Sequence, residues 1–273
     1  MAEAKNESVN EESRENFMKI SISIVTYNSD RVIKDCLDSI FKHIKNIQFE
    51  VIIVDNGSTD NTVKNIKSNF KNARIIQSNN IGFGAAHNIA IKLGKGKYHL
   101  VLNPDIIFTE NSIVKLISFM NKNPDVGLIS PKIVFPDGTI QYLCKRSPCV
   151  FDLCIRRFAP GFIQKIFKKR IDFFEMKDTG YNKIMDVCYL SGSFMLFRKS
   201  VLEKIGGFDQ NFFMYSEDAD ITRRIGEISR ALFYPYTSVV HLWERGSHKN
   251  LKLLLISFVS NVKYFNKWGW KIF

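Results

Sequence analysis

The sequence predicts an α/β protein: a mixed, mainly parallel sheet flanked by helices, with an amphipathic helical segment on its C-terminal side. Three observations carry this expectation. Through the first half of the chain, short β-branched runs alternate with segments of helical spacing, the pattern that yields βαβ crossovers and a parallel sheet. The 273 residues, 45% of them hydrophobic, are enough to bury one large core. No apolar run approaches the ~20 residues that span a bilayer, so an integral membrane protein is not expected, while a surface-bound one is compatible with the chain.

Lys19 to Thr26 alternates and is β-branched, which reads as a first strand. Tyr27, Asn28, Ser29 and Asp30 end it and cap a helix whose apolar residues, Val32, Ile33, Cys36, Leu37, Ile40 and Phe41, recur at helical spacing. Phe49 to Val54 is a second strand running into Asp55-Asn-Gly-Ser-Thr-Asp60, a turn cluster that caps the next helix (Val63, Ile66, Phe70). Arg74 to Gln77 is a short third strand. Asn79 to Asn88 opens an Ala-rich helix closing near Gly94, and Lys97 to Leu102 is strand four. A helix through Ile113, Leu116, Ile117 and Met120 stops before Asn123-Pro124. Ligands of such sheets sit beyond the C-terminal strand ends, and Thr26, Asp55 and Asp105 all fall there.

From Val126 the pattern changes. Leu128 to Val134, Pro136-Asp-Gly138 and Thr139 to Leu143 predict an antiparallel hairpin. Residues 145–185 read as an irregular basic insertion over the active face, too short for a core of their own. Strand signals return at Val187 to Phe197, Ala231 to Tyr234 and Ser238 to His241. Leu251 to Phe273 sets leucines and aromatics among lysines with no acid, a basic amphipathic helix that either lies at a membrane interface or packs on the body of the fold.

Between these elements, Leu190 to Asp220 concentrates the chemistry. A strand-like block, a short helical pattern and Gly206-Gly207 lead to Asp209, Glu217, Asp218 and Asp220. Phe212, Phe213, Met214 and Tyr215 precede the acid pair Glu217-Asp218, so the pair is expected to be partly desolvated, a setting that favours a proton-accepting carboxylate. The same acids would also suit a solvated first helical turn. The formal net charge of +12 points to a polyanionic partner: nucleic acid, an anionic membrane surface or a phosphorylated substrate. Five cysteines, an odd number without a CxxC, read as reduced cytoplasmic thiols. Met1 to Asn16 is polar and unlike a signal peptide, and residues 1–17 are expected to form a disordered lead-in.

Ser23-Ile-Val-Thr-Tyr-Asn28, Val54 to Asp60, Asn80 to Asn88, Leu102-Asn-Pro-Asp105 and Gly206 to Arg223 together resemble a family-2 glycosyltransferase of the GT-A fold, over Ile20 to Ser247. The Asn80 to Asn88 loop with Asn-Pro-Asp is most similar to bacterial rhamnosyltransferases of surface polysaccharide synthesis. The resemblance implies a catalytic domain at 18–247 and a tail at 248–273. It also implies a donor pocket of Thr26, Tyr27, Asn28, Asp55, Gly82, Phe83, Gly84, Asn88, Asn103, Gly192 and Trp243, in which Asp55 reads the imide N–H of uracil or thymine. Gly82-Phe83-Gly84 opens a helix whose N–H groups could face phosphate oxygens; His87 stands where a GxGxxG would have its third glycine, so a nicotinamide site is a poor fit. Asn103-Pro104-Asp105 corresponds to an Asp-x-Asp metal motif with the first acid replaced. With His241 before Trp243, Asp105 would hold Mn²⁺ or Mg²⁺ together with the donor diphosphate. By the same resemblance Asp218 is the general base, Glu217 orients donor or acceptor, and Asp220 caps the following helix.

These residues imply an inverting transferase moving a sugar, L-rhamnose from dTDP-rhamnose first among candidates, onto a lipid-linked glycan at the inner face of the cytoplasmic membrane. A UDP-hexose donor in the same fold is one alternative. A basic nucleic-acid-binding protein is another, but the chain lacks RNP-like, zinc-finger and helix-turn-helix signals.

Overall fold

The computed structural model describes residues 19–243 and 251–273. The expected lead-in, Gly246-Ser247 and the boundary between domain and tail lie outside the described residues.

The alternating runs form β1 (Ile20–Thr26), β2 (Phe49–Asp55), β3 (Ala73–Gln77) and β4 (Tyr98–Leu102), separated by α1 (Asp30–His43), α2 (Thr62–Asn69) and α3 (Phe83–Leu93). These four strands are parallel in the order β3-β2-β1-β4, with Thr26 beside Asp55 in register. Beyond β4 the sheet is mixed. The strands β5 (Ile106–Phe108), β6 (Val126–Val134), β7 (Met185–Asp186), β8 (Phe194–Arg198) and β9 (Arg230–His241) continue it as β8-β6-β9-β5, with β7 on β9. β8 runs antiparallel between β4 and β6, while β6 and β9 are parallel.

Period-two patterning divides the core into layers. Ile20, Ile22 and Ile24, with Val51 and Ile53, pack on Ile33, Leu37, Ile40 and Ile66 and on Ile113 and Leu116 of α4 (Ser112–Lys122). Facing the other way, Ile52 and Val54 meet Ala86 and Ala90 of α3. Met195 and Phe197 meet Leu202 of α8 (Lys199–Lys204) and Ile221 and Ile225 of α9 (Glu217–Gly226). Small residues in α3 bring it close to β1, where Ser23 Oγ lies 2.9 Å from both His87 Nδ1 and His99 Nε2. Burial holds both imidazoles neutral, pushing His99 down to about 3.

Four expectations need correction. The hairpin shrinks to a single bridge, Val134 to Ile140, because β6 spends both edges on β8 and β9. The run Val187 to Phe197 is a strand only from Phe194, since β7 and β8 pair with different neighbours and the residues between them cross the active face. The two late strand signals fuse into β9. The insertion expected to be irregular carries three short helices, α5 (Val150–Phe158), α6 (Gly161–Ile166) and α7 (Lys168–Phe174).

The amphipathic tail is α10 (Leu251–Trp268), and it packs on the body. Tyr264 and Phe265 join Phe212 and Ala219 in a small cluster, and Trp268 packs against it. In its first half the polarity is inverted: the buried face offers Ser257 and Ser260, while Leu251 (71% exposed), Leu255 and Phe258 point outward at a spacing of one helical stripe.

Candidate active site

Strand ends and loops converge on a cavity of about 430 Å³ lined by Phe83, Asn103, Asp105, Gly192, Glu217, Asp218, His241 and Trp243 from the predicted set. A larger cavity of about 580 Å³, between α5, α7 and Lys271 and Phe273, holds none of the predicted residues; chemistry, not size, picks the site.

Asp105 follows β4 in a turn, and His241 ends β9 opposite it. His241 Nε2 lies 3.3 Å from Asp105 Oδ2, and Gln141 fixes the ring by facing Nδ1 at 2.8 Å. Asp105 Oδ1 is buried with no hydrogen-bond partner. An acceptor atom left bare beside an oriented imidazole and the Asn103 side chain is the donor set a hard divalent cation uses, completed by phosphate oxygens. No group of three or more His, Cys, Asp or Glu residues suited to a metal occurs among the described residues. The residues present therefore fit a two-ligand protein site that a diphosphate would have to complete.

The acid pair begins α9. Ser216, in the left-handed region at φ 65°, turns the chain so that Glu217 points inward and Asp218 into the cavity. Asp218 Oδ2 accepts the Gly192 N–H at 3.1 Å and Oδ1 accepts the Ala219 N–H at 2.9 Å. A Cβ on Gly192 would press on the Phe83 ring and the Asp218 Cβ, so glycine lets the loop approach the acid. The expected desolvation falls mainly on Glu217, which is buried with Oε2 unpartnered; burial first, and the Asp218 charge second, push its pKa well above the usual carboxylate range. Asp220 is not a solvated cap. It is fully buried and binds Arg224 Nε at 2.8 Å, Lys267 Nζ at 2.7 Å and Trp268 Nε1 at 2.9 Å, because α10 covers that side of α9.

The remaining predicted donor residues form a bracket outside this cavity. Thr26 Oγ1 donates to Asp55 Oδ1 at 2.9 Å, and the Ser58 N–H reaches Oδ2 at 3.0 Å, leaving Asp55 1% exposed. Asn28 ties the loops after β1 and β2 through Ser58 Oγ and the Thr59 N–H, both 2.8 Å, and Tyr27 projects outward. The expected phosphate cradle at the start of α3 is closed: the Phe83 N–H donates to the Phe213 carbonyl at 2.9 Å because the aromatic loop before the acid pair folds over it. Gly82 (φ 95°) permits that approach, and Gly84 abuts Phe208. Asn88 spends its amide on the backbone of Phe208, accepting from its N–H and donating to its carbonyl at 2.8 Å each. Asn88 and Gly84 thus couple α3 to the acidic loop rather than line the cavity.

Sequence reasoning missed Lys145, Arg156 and Tyr189, and Ser257, Asn261 and Tyr264 of α10, all of which line the same cavity. The only available signal was the basic character of the insertion. Gln141 gave none.

A sheet parallel through four strands and mixed beyond, with an Asn-x-Asp turn at its centre and an acid pair on a covering helix, has the architecture of a GT-A glycosyltransferase. The chain belongs to glycosyl transferase family 2, whose description matches residues 21–206. It is 29% identical over 210 residues to the N-acetylglucosaminyl-diphospho-decaprenol L-rhamnosyltransferase of Mycobacterium tuberculosis, covering 70% of this chain and 66% of that one. It is 28% identical over 234 residues to rhamnosyltransferase WbbL of Escherichia coli K12, covering 81% and 83%. Among solved structures, Staphylococcus aureus TarS aligns with a TM-score of 0.58 at 20% identity (91% of this chain, 66% of that one). The mannosyltransferase PcManGT of Pyrobaculum calidifontis, in complex with GDP-Man and Mn²⁺, aligns at 0.59 and 18% identity (90% and 64%). These structural likenesses establish the GT-A fold.

Proposed function

We propose that the chain is an inverting glycosyltransferase that moves a sugar from a nucleoside diphosphate to a hydroxyl of a lipid-linked saccharide, with L-rhamnose from dTDP-rhamnose as the first donor to test. The observation that carries the reading is one cavity holding both a bare carboxylate oxygen beside His241 and, across it, the Asp218 carboxylate. Asp218 takes the proton of the acceptor hydroxyl. The acceptor oxygen bonds to the anomeric carbon, and the bond from that carbon to the diphosphate oxygen breaks, the electron pair leaving with the diphosphate. Asp105 and His241 would hold Mn²⁺ or Mg²⁺, which supplies positive charge to the leaving diphosphate. Asp55 and Thr26 would receive the base of the donor nucleotide. The names of the two rhamnosyltransferase relatives support a rhamnosyl donor, and the name of the Mycobacterium tuberculosis relative supports a lipid-diphosphate acceptor.

The reading extends to a membrane surface on the cytoplasmic side. No helix among the described residues is long and apolar enough to cross a membrane. The outward stripe Leu251, Leu255 and Phe258 of α10, and separately the exposed Phe162 and Ile166 of α6, are apolar surfaces suited to the headgroup zone.

The test is transfer by the purified protein from a panel of dTDP-, UDP- and GDP-sugars to a lipid-diphosphate saccharide, with anomeric configuration read by NMR. One donor should give product of inverted configuration, and Asp218→Asn should lower its rate about 10²–10⁴-fold while nucleotide binding persists. Product of retained configuration, or a wild-type rate in the variant, would overturn the assignment.

A further inference from the structure

The cavity has a basic wall that this reaction does not use. Lys145 is fixed by a bridge to Tyr189, its N–H donating to the Tyr189 carbonyl at 2.9 Å. Its side chain lines the cavity with the residue only 8% exposed, the ammonium lying 4.2 Å from the centre of the Tyr189 ring. Among the described residues no side chain or carbonyl forms a hydrogen bond or ion pair with that ammonium. Burial, with Arg156 nearby, draws its pKa down to about 8, against the opposing charges of Asp218 and Glu175. Arg156 of α5 lines the same wall, held 2.9 Å from Glu175, and Leu143, Pro148 and Leu153 supply apolar surface beside it. A cation withdrawn from water with no carboxylate in contact is costly, and the natural compensation is an anion brought by a ligand.

We infer that Lys145, flanked by Arg156, binds the phosphate group through which a lipid carries the acceptor sugar, with the first carbons of the lipid against Leu143, Pro148 and Leu153. The inference rests on the transferase reading of the site. Among ligand groups, the acceptor side is favoured because the carboxylates acting on Lys145 are those of Asp218 and Glu175, whereas the donor diphosphate belongs with Asp105 and His241. Tyr189, whose ring faces the ammonium and which lines the cavity together with Asp218, would join the phosphate subsite to the base.

The test is isothermal titration of the full chain, saturated with dTDP and Mn²⁺, with decyl diphosphate, decyl glucoside and inorganic pyrophosphate. Decyl diphosphate should bind at least about tenfold more tightly than either of the others. Lys145→Gln should remove that advantage, Lys145→Arg should keep most of it, and Arg156→Gln should weaken it less. Affinity for dTDP should stay within about twofold in all three variants. Equal binding of inorganic pyrophosphate would overturn the lipid assignment in favour of a free diphosphate. Weakened dTDP binding in Lys145→Gln would move the lysine to the donor side and overturn the inference. If Lys145→Gln fails to fold, undiminished selectivity in Arg156→Gln together with lost selectivity in Lys145→Arg would identify a structural anchor instead. Binding needs no turnover, so selective, Lys145-dependent uptake of decyl diphosphate by a protein that transfers no sugar would refute the transferase reading and leave the anion site standing.

Discussion

Removing the Asp220 carboxylate tests how firmly α10 is locked to the catalytic helix. The group is 0% exposed, while the side chains of Arg224 and Lys267 that bind it are 15% and 32% exposed. Breaking a buried ion pair from one side costs about 3–5 kcal/mol, because the partner charges remain. Three contacts limit the loss here. Arg224 Nη1 keeps the carbonyls of Ile205 and Gly207 at 2.9 and 2.8 Å, and Lys267 keeps Asp209 at 2.7 Å. Asp220→Ala should therefore sit near the lower bound, about 3 kcal/mol, and lower the melting temperature by roughly 6–12 °C for a domain of this size. Thermal unfolding followed by circular dichroism measures it. A solvated cap near the helix start would be worth no more than about 1 kcal/mol. A shift under about 3 °C would thus show that the Lys267 and Trp268 contacts do not lock α10 and that the reasoning from burial is wrong.

Asp105→Ala should abolish the heat of Mn²⁺ binding seen with dTDP, and His241→Ala should raise the metal concentration required; unchanged titrations in both would remove the metal site. Gly82→Ala puts a methyl against the Phe213 carbonyl at a φ of 95°, so it should cost roughly 1–2 kcal/mol in backbone conformation and displace the acidic loop. Transfer rate should then fall more than unfolding midpoint, and equal activity with equal stability would show the loop contact to be slack. Glu217 has a folded pKa raised above its ordinary 4.5, so the folded state holds a proton the unfolded chain releases, and stability drains away as pH rises from about 4.5 through the folded value. Glu217→Gln removes that drain: its stability relative to the parent should grow with pH over this window, whereas a gap independent of pH would mean Glu217 ionises normally.

The strand ends were readable because β-branched alternation marks where a buried strand stops, and Thr26, Asp55, Asp105 and His241 each follow such a run. Their pairing across β1–β2 and β5–β9 needed only the sheet order. Gly82, Gly84 and Asn88 stand outside the cavity lining, which the sequence could not show because a glycine-rich helix start looks the same whether it admits a phosphate or a neighbouring loop; here Phe213 and Phe208 are the neighbours. Lys145, Arg156 and Tyr189 lie in segments whose short helices and single bridge leave no periodic signal. The inner face of the first half of α10 was hidden by its inverted polarity: Ser257 and Asn261 face the cavity, while Leu251, Leu255 and Phe258 point outward. Asp220 was read as a cap because nothing local in its sequence announces the distant Trp268.

Tyr215 and Ser216 are consecutive L-residues with φ of 71° and 65°, a conformation costing roughly 1–2 kcal/mol at each. They stay there while α10 holds the loop, through Ser260 Oγ on the Met214 carbonyl, Ser216 Oγ on Asn261 and Lys263 on the Asn211 carbonyl. The helix and the strained turn are therefore a heritable pair. A lineage that lost α10 would also lose the clamp, and selection for the same acid-pair geometry would favour glycine at 215 or 216, which adopts that conformation freely. Such a glycine would be the scar of a departed helix, legible to comparative genomics in the descendant's sequence alone.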